Sequence, residues 1–163
     1  MSKKILRRAG KKPWSKLQRE IYKLLLQELG LQIHCRAYRM DSQHGSTDLP
    51  RYWINLDKEI IWDYPKDFGS ICKKGLWDED WECYVPYPYY TEISAISNLL
   101  REYINTPRPL LFAKHFADDI WGLTDILKAA DRRLGWEKLC TLQDTTQNGA
   151  VLKVLNKREW LRK

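Results

Sequence analysis

A change of hydrophobic period at Gly30 is the feature that most constrains how this chain can fold. Before Gly30, apolar residues recur from Leu17 at i, i+4 and i+7, the spacing of one face of a helix. After Gly30, apolar and polar residues alternate, which is the period of a half-buried strand. Glycine often ends helices because it readily adopts a left-handed backbone conformation. The sequence therefore predicts a helix from Pro13 to Gly30, followed directly by a sheet.

Three segments after Gly30 have the alternation of an antiparallel meander. The predicted strands are residues 31–40, 51–56 and 60–64, with a polar loop at 41–50 and a turn at 57–59. One face of this sheet is predicted to be apolar, and its members are Leu31, Ile33, Cys35, Ala37, Tyr52, Ile54, Leu56, Ile60, Trp62 and Tyr64.

Helical spacing returns in the second half of the chain. We expect helices at 91–106, at 109–135 with a bend at Gly122, at 136–142 and at 150–161, whereas the proline-containing stretch 66–90 is predicted to be irregular. The buried stripe of the second of these helices would include Phe112, Phe116, Ile120, Leu123 and Leu127. Strands followed by helices indicate the α+β class. The predicted fold is a small three-stranded antiparallel meander preceded by one helix and packed by several C-terminal helices.

The positive charge of the chain is concentrated at its two ends. The 163 residues carry a net charge of +7, with nine basic residues and one acidic residue in 1–23, and five basic residues and one acidic residue in 151–163. Residues 24–150 are therefore mildly acidic. We interpret 1–12 as a basic flexible arm and 13–163 as a single α+β domain. Such an arm could bind nucleic-acid phosphates without reading sequence.

The four cysteines indicate free thiols rather than a zinc site. Cys35, Cys72, Cys83 and Cys140 lack C-x-x-C spacing, and the three histidines do not complete a ligand cluster. No stretch reaches the roughly 18 apolar residues of a membrane span, and no apolar secretory segment follows the basic start. We expect a cytoplasmic protein with no cofactor, no bound metal and no membrane contact.

The stretch HCRAYRMDSQHGSTD, residues 34–48, holds two of the three histidines. His34 and Cys35 are neighbours in a predicted strand, so their side chains leave opposite faces and cannot form a catalytic dyad. Cys35 belongs to the apolar face, where a buried thiol is expected. A small hydrolase or nuclease centred on His34, His44 and Asp48 is one interpretation, although no phosphate-loop or hydrolase signature accompanies these residues.

The polar face of the predicted sheet is a candidate binding surface. Arginine and aromatic side chains together are enriched at interface hot spots, and they also suit nucleobase stacking beside phosphate. A solvated sheet face with cross-strand aromatic pairs is an equally good interpretation. The residues on this face are His34, Arg36, Tyr38, Arg51, Trp53 and Asn55.

The acidic and aromatic stretch WDEDWE, residues 77–82, is a second candidate. It lacks the alternating ligands and the glycine of a calcium-binding loop. It therefore favours a recognition loop that could meet a basic partner. The residues expected to make contact are Trp77, Asp78, Glu79, Asp80 and Trp81.

A third candidate is His115 with Asp118 and Asp119, which follow at i+3 and i+4 on a predicted helix. This spacing can orient an imidazole for catalysis. A histidine at the edge of an apolar stripe that pairs with a carboxylate of its own helix is the favoured interpretation.

The blocks PWSKLQ, LGLQIHCRAYRM, GSTDLPRYWI and EIIWDYPKDF resemble those of an uncharacterised family of short bacterial proteins. The resemblance covers roughly the first half of the chain, and DRRLGWEKLCTL extends it. It implies a bacterial cytoplasmic protein, and no catalytic or binding residue can be carried over from it.

Three functions fit these observations. We favour a non-enzymatic protein-interaction module, such as an immunity- or antitoxin-like partner of another protein, because the body of the chain is acidic and catalytic signatures are lacking. The alternatives are a nucleic-acid-binding protein that uses the basic arm and the Arg/aromatic sheet face, and the small hydrolase or nuclease described above.

Overall fold

The chain folds into a small sheet followed by a set of helices. The computed structural model describes residues 14–42, 45–64, 66, 76–80, 82–85 and 95–163, and for 37–42, 45–50, 76–78 and 83–85 it describes the backbone. In chain order these residues form α1 (Trp14–Tyr22), a 3-10 turn (Gln27–Leu29), β1 (Leu31–Ser42), β2 (Gly45–Leu56), β3 (Glu59–Tyr64), β4 (Leu76–Asp78), β5 (Cys83–Val85), α2 (Ala95–Asn105), α3 (Arg108–Leu111), α4 (Leu123–Ala130), α5 (Trp136–Thr145) and α6 (Gly149–Arg162). The predicted α+β class is confirmed.

β1, β2 and β3 form an antiparallel meander in that order. β1 and β2 pair along their whole length, from Leu31 opposite Leu56 to Ser42 opposite Gly45. The predicted polar loop at 41–50 is therefore wrong, because 41–42 and 45–50 belong to the strands. Backbone groups form the ladder, so polar side chains do not prevent pairing.

Pro50 belongs to β2 although proline cannot donate to a ladder. It lies opposite Ala37 on β1, whereas the pairing of β2 with β3 ends at Tyr52 and Tyr64. Among the described residues, β2 has no strand partner beyond Tyr52 on the side of β3, and strands accept proline at such unpaired edges.

A bulge in β3 changes the face of one predicted core residue. Trp62 pairs with Ile54, but Ile60 pairs with Asn55, so the pairing skips Ile61. The extra residue moves Ile60 out of the apolar stripe, and Ile60 is 47% exposed. The prediction of a buried Ile60 is therefore wrong, whereas Trp62 packs against the core as predicted.

The core lies between the apolar face of the sheet and the helices. Buried sheet residues pack with apolar residues of α1, α2, α4 and α6, and the set includes Leu31, Ile33, Tyr52, Ile54, Leu56, Leu17, Ile21, Ile96, Leu99, Leu100, Tyr103, Ile126, Leu127, Val151, Val154 and Leu155. Cys35 packs against this core from β1.

The first helix is shorter than predicted. α1 ends at Tyr22, and Leu25 instead forms an isolated antiparallel bridge with Asp131. The backbone N–H of the next residue, Leu26, donates a hydrogen bond to the carbonyl of Ala130 at 2.8 Å. This N–H therefore pairs with the segment at 130–131 and does not form a helical hydrogen bond. Gly30 ends the following 3-10 turn with φ +65°, as its predicted role as a stop requires.

The predicted helix at 109–135 is interrupted. α3 covers only Arg108–Leu111, and helical structure resumes at Leu123. Between them, Ile120 is 70% exposed, so its predicted burial is wrong. Gly122, where we expected a bend, has φ +69° and directly precedes α4. The two closing helices are confirmed, and α5 continues to Thr145.

A buried carboxylate joins several of these elements. Asp131 is fully buried and accepts hydrogen bonds from the Tyr103 hydroxyl at 2.8 Å and from the Arg133 guanidinium at 2.7 and 3.0 Å. Arg158 of α6 donates from its buried guanidinium to the carbonyls of Ala129, Asp131 and Leu134 at 2.9 Å. Burial, followed by the charge of Asp131, raises the pKa of Tyr103. The network fixes the segment after α4 against α2 and α6.

Candidate interaction surfaces

The polar face of the sheet carries a row of stacked side chains from all three strands. The imidazole of His34 stacks on the indole of Trp53, with ring centroids 4.8 Å apart and planes 20° apart. The guanidinium of Arg51 lies 4.7 Å from the centre of the same indole. Arg51 also donates two hydrogen bonds of 2.9 Å to the carboxylate of Asp63. The cross-strand register, with Trp53 opposite both His34 and Asp63, brings these side chains together.

This arrangement limits what Arg51 can bind. Its side chain is 14% exposed and that of Asp63 is 22% exposed, so the pair is largely withdrawn from solvent. A phosphate ligand would have to displace Asp63 before it could reach the guanidinium of Arg51. Arg36, which pairs with Arg51 across the strands, is exposed. The side chain of Tyr38 lies outside the part of the molecule described.

The imidazole of His34 is partly buried. Burial lowers the pKa of its imidazole. Its Nε2 atom is enclosed and has no hydrogen-bond partner among the described residues, and the same holds for Oδ1 of Asn55 on this face. A general base needs a group that orients it towards its substrate. His34 is oriented instead by stacking on Trp53.

The structure separates His34 from Asp48, two of the predicted catalytic residues. Asp48 pairs with Arg39, five residues along β2 from Trp53, the residue opposite His34. At about 3.4 Å per residue, this offset is roughly 17 Å. His44 lies outside the described residues. Within the ranges described, no three His, Cys, Asp or Glu residues are arranged to hold a metal ion.

Asp119 has a structural role that differs from the predicted one. The segment that holds it and His115 is not helical, so the expected i+4 pair on a helix is wrong. The Asp119 carboxylate accepts hydrogen bonds from the N–H groups of Leu123 and Thr124, at 3.1 and 2.8 Å, and from the Thr124 hydroxyl at 2.6 Å. It therefore caps the start of α4. His115 and Asp118 are exposed.

Cys35 is a poor nucleophile. Burial raises the pKa of its thiol to about 11, and a hydrogen bond with Tyr52 only partly opposes this shift. A thiol reacts through its thiolate, so a raised pKa makes Cys35 unreactive near neutral pH. The expectation of a structural thiol fits this environment.

The acidic stretch forms the tip of a hairpin. β4 and β5 pair from Leu76 opposite Val85 to Asp78 opposite Cys83, so the prediction of a wholly irregular 66–90 is wrong. The hairpin lies beside β1 and ends at Val85, before the prolines that suggested irregular structure. Glu79 and Asp80 are exposed at its tip. Trp81 and the side chains of Trp77 and Asp78 lie outside the described part, and the recognition role of this stretch stays a prediction.

A groove lined by β3 is a further surface feature of the described residues, and sequence reasoning did not identify it. We call it the aromatic edge groove; it has a volume of about 620 Å³ and is lined by residues 60–64, Lys66, Trp121 and Asn148. The rings of Trp62 and Tyr64 stack with centroids 6.5 Å apart, and Tyr64 meets Trp121 edge to face at 5.5 Å. The indole N–H of Trp62 donates to the carbonyl of Trp121 at 3.1 Å.

Two exposed isoleucines adjoin this groove. Ile60 lines it directly, and Ile120 is the neighbour of Trp121 in the chain. Trp121 and Ile120 also line a second groove of about 360 Å³ between α2 and residues 117–121. This surface could not be predicted from hydrophobic periodicity, because periodicity shows neither the bulge at Ile61 nor the interruption of the helix before α4. The succession of Asp119, Gly122 and Thr124 is typical of a helix start and could have revealed the second of these.

Comparison with known proteins places the whole fold in one family. The model of the SF0329 protein family matches residues 13–158, a range that includes the sheet and the aromatic edge groove. No curated protein and no solved structure matches the chain. Among the residues described, no helix has both the length and the apolarity needed to cross a membrane. The family match extends well beyond the half of the chain on which the resemblance rested, and the chain belongs to the SF0329 protein family.

Proposed function

We propose that the chain is a non-enzymatic protein-interaction module that binds its partner through the aromatic edge groove. The observation that carries the proposal is the exposure of Ile60 and Ile120 beside three mutually packed aromatic rings, those of Trp62, Tyr64 and Trp121. Exposed apolar residues scattered singly are ordinary, but grouped ones mark interaction sites. Aromatic residues are also enriched at the centres of protein interfaces.

The groove is suited to tight binding because its rings are already fixed. Trp62 is held by the core and by its hydrogen bond to Trp121, and Tyr64 is held between these two rings. Binding therefore costs little additional side-chain entropy on this side of the interface. Asp63, which also lines the groove, is neutralised by Arg51. A partner would not have to supply a compensating cation.

The two alternative functions have less support. A hydrolase or nuclease would need His34 to act with Asp48, and the register separates their positions along the sheet. A nucleic-acid site on the sheet face would need Arg51, which is paired with Asp63. The basic arm at 1–12 lies outside the described residues, so nucleic-acid binding through it stays a prediction.

An immunity- or antitoxin-like role in a bacterial cytoplasm is the setting we propose for such a module. The resemblance and the free thiols of Cys35 and Cys140 support this setting. In this role the acidic tip at Glu79 and Asp80 would supply a second contact to a basic region of the same partner.

Affinity purification from the native host tests the proposal. The tagged wild-type chain is compared with Ile120→Asp and with Leu110→Asp, a matched control because Leu110 is 61% exposed but lies in α3, outside the groove. We expect one near-stoichiometric partner with wild type and Leu110→Asp, and about tenfold less with Ile120→Asp at an unchanged unfolding midpoint. Equal recovery with all three chains, or recovery of chaperones alone, would contradict the proposal.

A further inference from the structure

We infer that the chain also binds the phosphate backbone of nucleic acid, without reading its base sequence, through a stripe of cations along α1. The stripe consists of Lys16, Arg19 and Lys23, and we call it the α1 stripe. None of its residues lines the aromatic edge groove, so this second function does not depend on the proposed one.

α1 has two faces of opposite character. Leu17 and Ile21 are buried in the core, whereas Lys16, Arg19 and Lys23 are exposed. Lys23 directly follows α1 and continues its last turn, because its N–H donates to the carbonyl of Arg19 at 3.3 Å. Residues spaced i, i+3 and i+7 lie on one face of a helix. The three cations therefore form one row on the solvent side of α1.

The α1 stripe is distinguished from other cations of the fold by its lack of carboxylate partners. Within the described residues, none of its three side chains forms an ion pair. Cations elsewhere are paired with carboxylates, and examples are Arg51 with Asp63, Lys114 with Glu102, Lys153 with Glu59 and Lys157 with Asp57. The charge of the α1 stripe is therefore available to an external anion.

Glu20 is the one acidic residue among residues 1–23, and it leaves the stripe positive. It is half-buried, and no ion pair joins it to Lys16, Arg19 or Lys23 in the part of the chain that the structure describes. Residues 1–12, which precede α1, contain six basic residues and no acidic one. The positive charge at the amino end of the sequence thus continues onto the folded domain.

The length of the stripe suits a nucleic-acid backbone. Lys16 and Lys23 are seven residues apart, which is about 10 Å along a helix. A DNA duplex carries one negative charge for about every 1.7 Å of its axis, so several phosphates lie within this length. Another exposed cation, Arg132, lies beside the end of the stripe, because its N–H donates to the carbonyl of Leu24 at 2.9 Å. Each cation of the stripe can therefore contact its own phosphate.

α1 holds the stripe in a fixed position against the sheet. The side-chain amide of Gln18 donates to the carbonyl of Ile33 at 2.6 Å, and the N–H of Ile33 donates to the hydroxyl of Tyr22 at 3.0 Å. Together with the burial of Leu17 and Ile21, these bonds fasten α1 to β1. Binding therefore orders only the ends of the lysine and arginine side chains.

The chemistry of the stripe favours nucleic acid over an anionic membrane. A helix that lies on a membrane buries an apolar face in the lipid. The apolar face of α1 is already buried in the core, and the large exposed apolar residues of the described part lie on other elements, at Ile60, Leu110, Ile120, Trp160 and Leu161. Lysine and arginine that contact phosphates position a protein on nucleic acid but do not specify a sequence.

The experiment measures binding of the full chain to short fluorescent duplexes of DNA and RNA by fluorescence anisotropy, at salt concentrations from about 50 mM to about 200 mM. Two unrelated sequences of each duplex are used. One variant removes the stripe, and it is Lys16→Gln/Arg19→Gln/Lys23→Gln. The control variant loses the same net charge from exposed cations of α3, α5 and α6, and it is Arg108→Gln/Lys138→Gln/Lys153→Gln.

We expect wild type to bind unrelated sequences of at least one duplex with affinities equal within about twofold, and to lose affinity steeply as salt rises. Loss of the stripe should reduce the slope of log affinity against log salt by about 2.7, which is about 0.9 for each lost phosphate contact with DNA. The control variant should change this slope by less than about 1. Both variants should keep the wild-type unfolding midpoint, because all six residues are exposed.

Four results would overturn the inference. They are an absence of binding at about 50 mM salt, equal effects of the two variants, a more than tenfold preference for one sequence, and binding to phosphatidylserine vesicles without binding to either duplex. None of these results bears on the aromatic edge groove, since Ile120→Asp leaves the α1 stripe intact.

Discussion

The indole N–H of Trp62 donates a hydrogen bond to the backbone carbonyl of Trp121, with 3.1 Å between the two heavy atoms. This bond connects β3 to the segment that ends just before α4. Both residues line the aromatic edge groove, so the bond joins two of the elements that form it.

Replacement of Trp62 by phenylalanine should therefore loosen this connection. Trp62→Phe keeps an apolar ring but leaves the Trp121 carbonyl without its donor, which should lower the free energy of unfolding by about 1–2 kcal/mol. Urea denaturation provides the measurement. Trp160→Phe is the control, since Trp160 is 70% exposed and should change stability by less than about 0.5 kcal/mol. Equal effects of the two variants would contradict this account of the groove wall.

Asp131 should be the most sensitive polar position in the fold. Asp131→Asn removes the charge that Arg133 and Tyr103 share in a fully buried site, so the free energy of unfolding should fall by about 3 kcal/mol or more. Asp125→Asn is the matched control, because that side chain is 46% exposed and lies 3.8 Å from Lys128. It should cost less than about 1 kcal/mol. A loss below about 1 kcal/mol at Asp131 would show that the buried network does not stabilise the fold.

Neighbouring aspartates should respond differently to the same substitution. Asp119→Ala removes the cap of α4 and should cost about 1–2 kcal/mol in unfolding free energy, measured by chemical denaturation. Asp118→Ala changes an exposed residue and should be neutral within about 0.5 kcal/mol. If Asp118→Ala were the more damaging change, the assignment of the cap to Asp119 would be wrong.

His34 should make folding stability depend on pH. Burial lowers the pKa of His34 from its ordinary value of 6.5, so the unfolded chain binds a proton more readily than the folded one. The contribution is present above about pH 6.5 and is lost as the pH falls from there through the lowered folded pKa. His34→Gln should therefore reduce the loss of stability between about pH 7 and pH 5, measured by urea denaturation at both values.

The exposed His115 supplies the control for this pH effect. His115→Gln should keep the wild-type difference in stability between the two pH values, because His34 remains. An unchanged pH dependence in His34→Gln would mean that the stacked imidazole does not disfavour protonation.

Periodicity was sufficient for the class of fold and for most of the core. The switch at Gly30 correctly marked the start of the sheet, although α1 already ends at Tyr22. Leu17, Ile21, Ile33 and Ile54 are buried as predicted. Hydrophobic periodicity gave wrong predictions where backbone hydrogen bonds, rather than the burial of side chains, determine the secondary structure. The pairing through 41–42 and 45–50 depends on ladder hydrogen bonds that polar residues make as well as apolar ones.

The candidate surface was harder to predict for the same reason. The exposure of Ile60 follows from one skipped residue in β3, and the exposure of Ile120 follows from a cap formed by Asp119. By sequence spacing alone, both isoleucines would belong to a buried apolar stripe. The sheet face of His34, Trp53 and Arg51 was predicted correctly as a group, but the pairing of Arg51 with Asp63 was not predicted, because the sequence shows no cross-strand partner.

Site-specific photocrosslinking tests the central claim most directly. A photoreactive phenylalanine derivative is incorporated at Ile120 in one chain and at Leu110 in another, and both are irradiated in cells of the native host. Both side chains are exposed, but only Ile120 is the chain neighbour of Trp121, which lines the aromatic edge groove. The account predicts one dominant protein adduct from position 120 and none from position 110. The same adducts from both positions, or no protein adduct from position 120, would contradict it.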